Sequence, residues 1–258
     1  MISKLNLICP TYKRSNTLLP QYCKSIIKNT ADKKNVFLSF ITNILDSDSD
    51  CFIHKTFESW EYEIIKESYK KPIIPKYYNM VFKIGKYHND NTVSVSMLGD
   101  DMEFNTLGYD EKIISAMNKY GPEGVFYCSG DNRYDDSLCV NLFMEKNFVK
   151  KCSQTFMNEE YPANMIDVIW QCVADSSNMD FYIKNVEIKH NHYSKIGKDD
   201  TGRRLHKSRK EGGTSALARI KIDIGQCVYR INRLGYKTCY PIVSKIQRNR
   251  PGRTFIDS

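Results

Sequence analysis

Apolar residues in this chain come in short runs of strand length that alternate with stretches of helical period. That alternation narrows the fold before any single motif does. Lys4–Pro10 (KLNLICP) reads as a buried strand ended by proline. Asn16–Lys28 carries Leu18, Leu19, Tyr22, Ile26 and Ile27 on one side and reads as a helix with Asn16 as its N-cap. Asn35–Asn43 is a second strand, Asp46–Asp50 (DSDSD) a polar turn, and Tyr62–Ile65 a third strand. A helix over Pro75–Lys86, with Pro near its start, leads into a fourth strand, Thr92–Leu98, which ends on Gly99-Asp100-Asp101. A helix over Asp110–Lys119 follows, then strands at Gly124–Cys128 and Leu138–Met144, a helix at Met165–Asp175, and a strand at Phe181–Lys189 that runs into His190-Asn191-His192. This order predicts an α/β fold, a mixed sheet with helices on both faces. Ligands in such sheets sit at the carboxyl ends of the strands. Pro10-Thr11-Tyr12, Asp46–Asp50, Asp100-Asp101 and His190/His192 all fall there.

The length of 258 residues and an apolar fraction of 41% suit one α/β domain with a modest extension. No uncharged apolar run approaches the roughly 20 residues that span a bilayer. Met1–Ile8 is too short and mixed for a signal peptide, so the expected location is the cytoplasm, or the host cytoplasm for a viral protein. Nine cysteines are scattered without C-x-x-C spacing, which reads as reduced and largely buried thiols. The net charge of +8 is unevenly spread. Residues 201–258 hold fourteen Lys and Arg against Glu211, Asp223 and Asp257, a local +11 that leaves the first 200 residues near −3. The reading is a domain over 1–200 followed by a basic, mainly helical extension over 201–258 that meets a polyanion.

Several residues carry chemistry. Two adjacent carboxylates just past a buried strand, Asp100 and Asp101, repel each other unless a positive group sits beside them. A divalent cation bound through oxygen would do so and would bridge a donor's phosphates; a solvated Asp-Asp turn is the plain alternative. His190 and His192, two apart on an alternating strand, would face one side and could complete a metal site, or be exposed strand-end histidines. Asp167 opens a helix among Ile166, Val168, Ile169 and Trp170. It could be a general base or a carboxylate favoured by the helix dipole, with Glu159 and Glu160 as rival bases on the preceding loop. Pro10, Thr11, Tyr12 and Arg14 form a strand-to-helix loop whose backbone N–H groups, aromatic ring and guanidinium suit a nucleotide.

These pieces, in this order, resemble the GT-A glycosyltransferases of family 2. The opening strand and its Pro-x-Tyr-type loop match Ile8-Cys9-Pro10-Thr11-Tyr12-Lys13-Arg14. The family's acidic turn for the nucleoside is matched by Asp46–Asp50, and its Asn-bearing helix by Lys76-Tyr77-Tyr78-Asn79. Gly99-Asp100-Asp101-Met102-Glu103-Phe104 looks like the Asp-x-Asp-type metal motif. Asn164-Met165-Ile166-Asp167-Val168 through Val186-Glu187-Ile188-Lys189-His190 reproduces the catalytic acid, strand and His layout, with Ile166-Asp167 where the family has Glu-Asp. His190-Asn191-His192-Tyr193 with Gly197-Lys198 and Asp200-Thr201 looks like bacterial and phage relatives, in which a loop after the His closes over the donor. The resemblance covers roughly residues 4–201.

The resemblance implies a GT-A (Rossmann-like) fold and a metal-dependent, inverting glycosyltransferase. It implies Asp167 as base and Asp101 with His190 or His192 as ligands of Mn or Mg. It also implies a nucleotide-sugar donor, a UDP-sugar, held by Pro10, Thr11, Tyr12, Arg14, Asp46, Asn79, Asp100 and Lys198. The basic extension, with Tyr229, Tyr236 and Tyr240 among its arginines, suits DNA. A hydroxylated base in viral DNA is therefore the expected acceptor. The competing readings are a cell-envelope saccharide or lipid acceptor, a non-catalytic nucleic-acid-binding protein on a GT-A core, and a nucleotidyltransferase using two metals.

Overall fold

The computed structural model describes residues 1–68, 74–121, 123–131, 140–152, 156–157, 159, 167, 170–171, 173–174, 179–191 and 254–256. Its elements are β1 (Lys4–Pro10), α1 (Leu18–Asn29), β2 (Val36–Asn43), α2 (Ser47–Thr56), β3 (Tyr62–Glu67), α3 (Ile74–Ile84), β4 (Val93–Ser96), β5 (Met102–Phe104), α4 (Tyr109–Tyr120), β6 (Val125–Asp131), β7 (Leu142–Glu145), α5 (Lys146–Cys152), β8 (Asp180–His190) and β9 (Thr254–Ile256). The strands form one mixed sheet in the order β3-β2-β1-β4-β7-β6-β8-β5, with β9 paired to β8. β3, β2, β1 and β4 are mutually parallel, β7 runs antiparallel between β4 and β6, and β6 is parallel to β8.

β1 is buried on both faces because helices cover both sides of the sheet. Leu5, Leu7 and Cys9 join the cluster that holds Tyr22, Ile26, Tyr109 and Ile113 of α1 and α4. Ile8 points the other way, into the cluster of Tyr77, Tyr78, Val81 and Phe82 from α3 with Phe148 and Val149 from α5. The alternation of strand side chains thus builds two cores from one strand. Cys9, Cys23, Cys128 and Cys152 are buried and Cys51 is exposed, and none of the five is in a disulfide. No helix among the described residues is long and apolar enough to cross a membrane.

The expected mixed α/β sheet with helices on both faces is present, with local differences. The first helix starts at Leu18 behind Thr17, not Asn16. Asp46–Asp50 is not a turn. Asp46 caps α2, its side chain accepting from the Ser49 amide, with Asp48 and Asp50 in the first turn and His54 and Lys55 in the last. That charge order suits the helix dipole, but a helix with so few apolar residues has no periodic signal. β5 is only three residues long, and β9 adds the end of the chain to the sheet: Tyr182 pairs with Phe255 and Ile183 with Ile256. Residues 192–253, most of the basic segment, lie outside the described residues. Their two flanks, Asn191 and Thr254, both sit against the sheet.

Candidate active site

β1 and β4 deliver their carboxyl ends side by side, since Lys4, Leu5 and Asn6 pair with Val93, Ser94 and Val95. The residues just beyond them therefore meet. The Thr11 hydroxyl donates to Asp100 Oδ2 at 2.7 Å, and the Arg14 guanidinium pairs with Asp100 Oδ1. One residue earlier, the Lys13 amide donates to Asp46 Oδ2 at 2.6 Å. Lys13 sits in the left-handed region at φ 53°, which turns the chain sharply between strand and helix. The loop over residues 10–14 is thus pinned to one acid after β2 and another after β4. Tyr12 is half-buried, with the Lys13 ammonium 5.4 Å from its ring centroid.

Asp100 is 3% exposed. Burial, helped by the neighbouring Asp101 charge, pushes its carboxyl up to about 6 although Arg14 and Thr11 pull the other way. Asp101 behaves oppositely. Burial works against its charge, but the hydrogen bond and charge of His190, with Arg14 behind them, outweigh it and hold the carboxyl below its ordinary range. The two adjacent acids are therefore unlike: burial prevails at Asp100, and the His190 partner prevails at Asp101. Gly99 permits the turn: a Cβ there would fall 2.6 Å from Asp101 Oδ1.

Register explains how His190 arrives. β5 and β8 run antiparallel with Met102 opposite His190 and Phe104 opposite Ile188, and the Asn191 amide extends the ladder to the Asp101 carbonyl at 2.8 Å. His190 Nε2 then lies 3.4 Å from Asp101 Oδ2. On its other side His190 is in register with Asp131 of β6, beyond two irregularities in the β6–β8 pairing.

The pair offers one hard carboxylate oxygen and one imidazole nitrogen, a mixed donor set that suits Mn²⁺ better than the oxygen-seeking Mg²⁺. No group of three His, Cys, Asp or Glu that could hold a metal occurs among the described residues. Two protein donors leave coordination positions for a ligand's phosphate oxygens.

Asn79, expected at the donor, is 1% exposed, and its amide bonds to the Met157 backbone and to Glu159 Oε1. Glu159 also lies 3.7 Å from the Lys83 ammonium, so this rival base is tied to α3. Asp167 is half-buried and helical, three residues before Trp170. Glu160, His192 and Lys198 lie outside the described residues, as does the segment expected to close over the donor. Sequence reasoning missed Tyr78, whose hydroxyl donates to the Leu98 carbonyl just before the Asp100 turn. Its one signal was adjacency to Asn79.

No family model matches the sequence, and no curated protein does. Solved structures do match by shape. Mannosyltransferase PcManGT from Pyrobaculum calidifontis, in complex with GDP-Man and Mn²⁺, superposes with TM-score 0.54 at 10% identity over 91% of this chain and 76% of that one. S. aureus TarS 1–349 gives 0.53 at 11% identity over 88% and 71%. Its complex with UDP-GlcNAc gives 0.50 at 12% identity over 88% and 72%. Against a longer TarS chain the match spans 32% of that chain. The likeness shows the fold: this sheet and its helices are GT-A-like.

Proposed function

We propose that this chain transfers a sugar from a nucleotide-sugar donor to an acceptor hydroxyl by a single inverting displacement. The observation that carries the reading is the pairing of unlike acids at the strand ends: Asp100 locked to Arg14 and Thr11, and Asp101 open toward His190. On a GT-A-like sheet this is where a nucleotide diphosphate binds. Asp101 and His190 would hold a Mn²⁺ or Mg²⁺ ion, with His192 as the alternative imidazole. Such an ion, when bound, neutralises the departing diphosphate. Asp100, Thr11 and Arg14 keep the loop shaped, so that Pro10 and Tyr12 flank the nucleoside. Asp46 holds the Lys13 amide, and Lys198 meets phosphate. Asp167 takes the proton from the acceptor hydroxyl. Glu159 is less suited to that task, because its carboxylate is engaged by Asn79 and lies near Lys83.

A UDP-sugar is the donor we assign, in line with the UDP-GlcNAc complex of TarS. For the acceptor we assign a hydroxylated base in DNA, because the net +11 of residues 201–258 and their interspersed tyrosines suit a nucleic acid.

The test is a thermal-shift screen of UDP and GDP with and without Mn²⁺. Binding to the folded state alone raises apparent stability. The expected result is a shift that needs nucleotide and metal together and disappears in Asp101→Ala. No shift with either nucleotide, or one untouched by Asp101→Ala, removes the assignment.

A further inference from the structure

We infer that Tyr78 and Asn79, neighbours on α3, are positioning residues that set the spacing between the two halves of the site, an inference that rests on the transferase reading above. Successive helix residues point about 100° apart, so one helix can brace two different segments from adjacent positions. Tyr78 is buried and donates its hydroxyl to the Leu98 carbonyl, immediately before Gly99-Asp100-Asp101. Asn79 faces the segment that precedes Asp167. It accepts from the Met157 amide at 2.9 Å and donates to the Met157 carbonyl at 2.6 Å, so a side-chain amide pairs with a backbone as a strand would. Its Nδ2 also donates to Glu159 Oε1 at 3.0 Å. An amide group has two donors and a carbonyl acceptor, and all three functions are engaged.

The clamp continues toward the acid. Phe156, beside Met157, has its ring 6.0 Å from Tyr78, 6.1 Å from Phe82 and 6.2 Å from Trp170. The Trp170 indole donates to the Phe156 carbonyl at 3.1 Å, and Trp170 is three residues from Asp167. One rigid helix thereby joins the metal turn on one side to the acid-bearing segment on the other. Apolar packing alone would hold these segments together in several arrangements. A fully satisfied buried polar cross-link selects one. Transfer needs the donor's anomeric carbon and the acceptor base at one separation, and a displacement of 1 Å costs about 100-fold in rate.

The experiment compares Asn79→Asp and Tyr78→Phe with the unaltered chain. Asp keeps the acceptor for the Met157 amide and loses both donors. Binding is read with UDP and GDP plus Mn²⁺. Turnover is read as diphosphate release from UDP-GlcNAc and GDP-mannose, and backbone order by amide hydrogen exchange. For Asn79→Asp the expected result is a Kd within about 2-fold of the unaltered chain, with kcat down at least about 10-fold. Faster exchange should spread through Trp170–Ala174 and spare Leu98–Met102. Tyr78→Phe should do the reverse, with faster exchange at Leu98–Met102 and weaker diphosphate binding. Equal losses of binding and turnover in Asn79→Asp, or exchange unchanged at Trp170–Ala174, overturn the inference. If Asn79→Asp does not fold, Asn79→Ala carries the same readouts without adding charge. Should the unaltered chain bind neither nucleotide, the transferase reading fails, and the exchange pattern of the two variants still decides the brace.

Discussion

Arg14→Met tests whether the buried pair at the heart of the site is an electrostatic device. The side chain keeps its apolar stem and loses only the guanidinium that faces Asp100. In the unaltered protein the Asp100 carboxyl rises from 3.8 to about 6 on folding. An acid whose folded value is raised binds more protons in the native state than in the unfolded one. Stability is then greatest below about 4 and falls as pH climbs through 6. At 1.36 kcal/mol per unit, keeping Asp100 ionised at pH 7 costs the fold about 3 kcal/mol. Removing Arg14 takes away the nearest favourable charge, so the folded value rises further.

The cost of that rise has a ceiling, because a carboxyl that is already protonated is no longer penalised. At pH 5 Asp100 is protonated in both native proteins and the variant loses only contacts. At pH 7.5 the variant loses up to about 2 kcal/mol more, the 1.5 units between 6 and 7.5 converted at 1.36 kcal/mol each. Urea unfolding in EDTA at pH 5 and pH 7.5 measures the difference without bound metal. The expected outcome is a destabilisation larger at the higher pH, by at most about 2 kcal/mol, with the pH difference abolished when Asp100→Asn is added. A destabilisation equal at both pH values, or larger at pH 5, would refute the electrostatic account.

Three further outcomes are expected. Asp167→Asn should retain nucleotide binding and lose at least about 100-fold in transfer, the usual size of a lost general base, whereas Glu159→Gln should not; steady-state kinetics with DNA that carries hydroxylated bases decide between them. Lys146 is 1% exposed and donates to the Tyr87 and Asp90 carbonyls, and burial pulls its ammonium down to about 8. A lysine with a lowered folded value destabilises the fold while charged, so its own contribution should rise by about 3 kcal/mol between pH 8 and 10.5, read in urea titrations as the stability of the unaltered chain minus that of Lys146→Met, a difference from which the buried thiols and phenols cancel. Duplex DNA should bind with a log–log salt slope near −0.9 per phosphate contacted, and charge reversal at Arg203, Arg204, Arg209 and Lys210 should flatten it without altering nucleotide binding. No binding at low salt, or far stronger binding to anionic vesicles, would end the DNA assignment.

What could be read from the sequence, and what could not, divides by the range of the interaction. β1, β2 and β4 announce themselves as short runs of apolar and small residues with no charge in their interiors, as strands covered on both faces require, and the acids after them are visible as abrupt polar ends. Asp100 and Asp101 were therefore legible as a site, but not as unlike groups. Their difference comes from burial, which prevails at Asp100 even against Arg14, 86 residues away, and from His190, brought to Asp101 by the β5–β8 register. α2 was missed for a local reason: its helix is specified by a cap and charge order, with little apolar face. β5 and β9 were missed because three-residue strands exist only through their pairing with β8. Asn79 shows the same limit most sharply. The family resemblance makes Asn79 a donor contact, and nothing within a helical turn of it reveals Met157, 78 residues on. The polar residues that hold distant segments in place look, in one dimension, like the residues that touch a substrate. Separating them requires variants in which binding and turnover are measured apart, since loss of a donor contact weakens binding while loss of a brace on the acid-bearing side, such as Asn79, spares it.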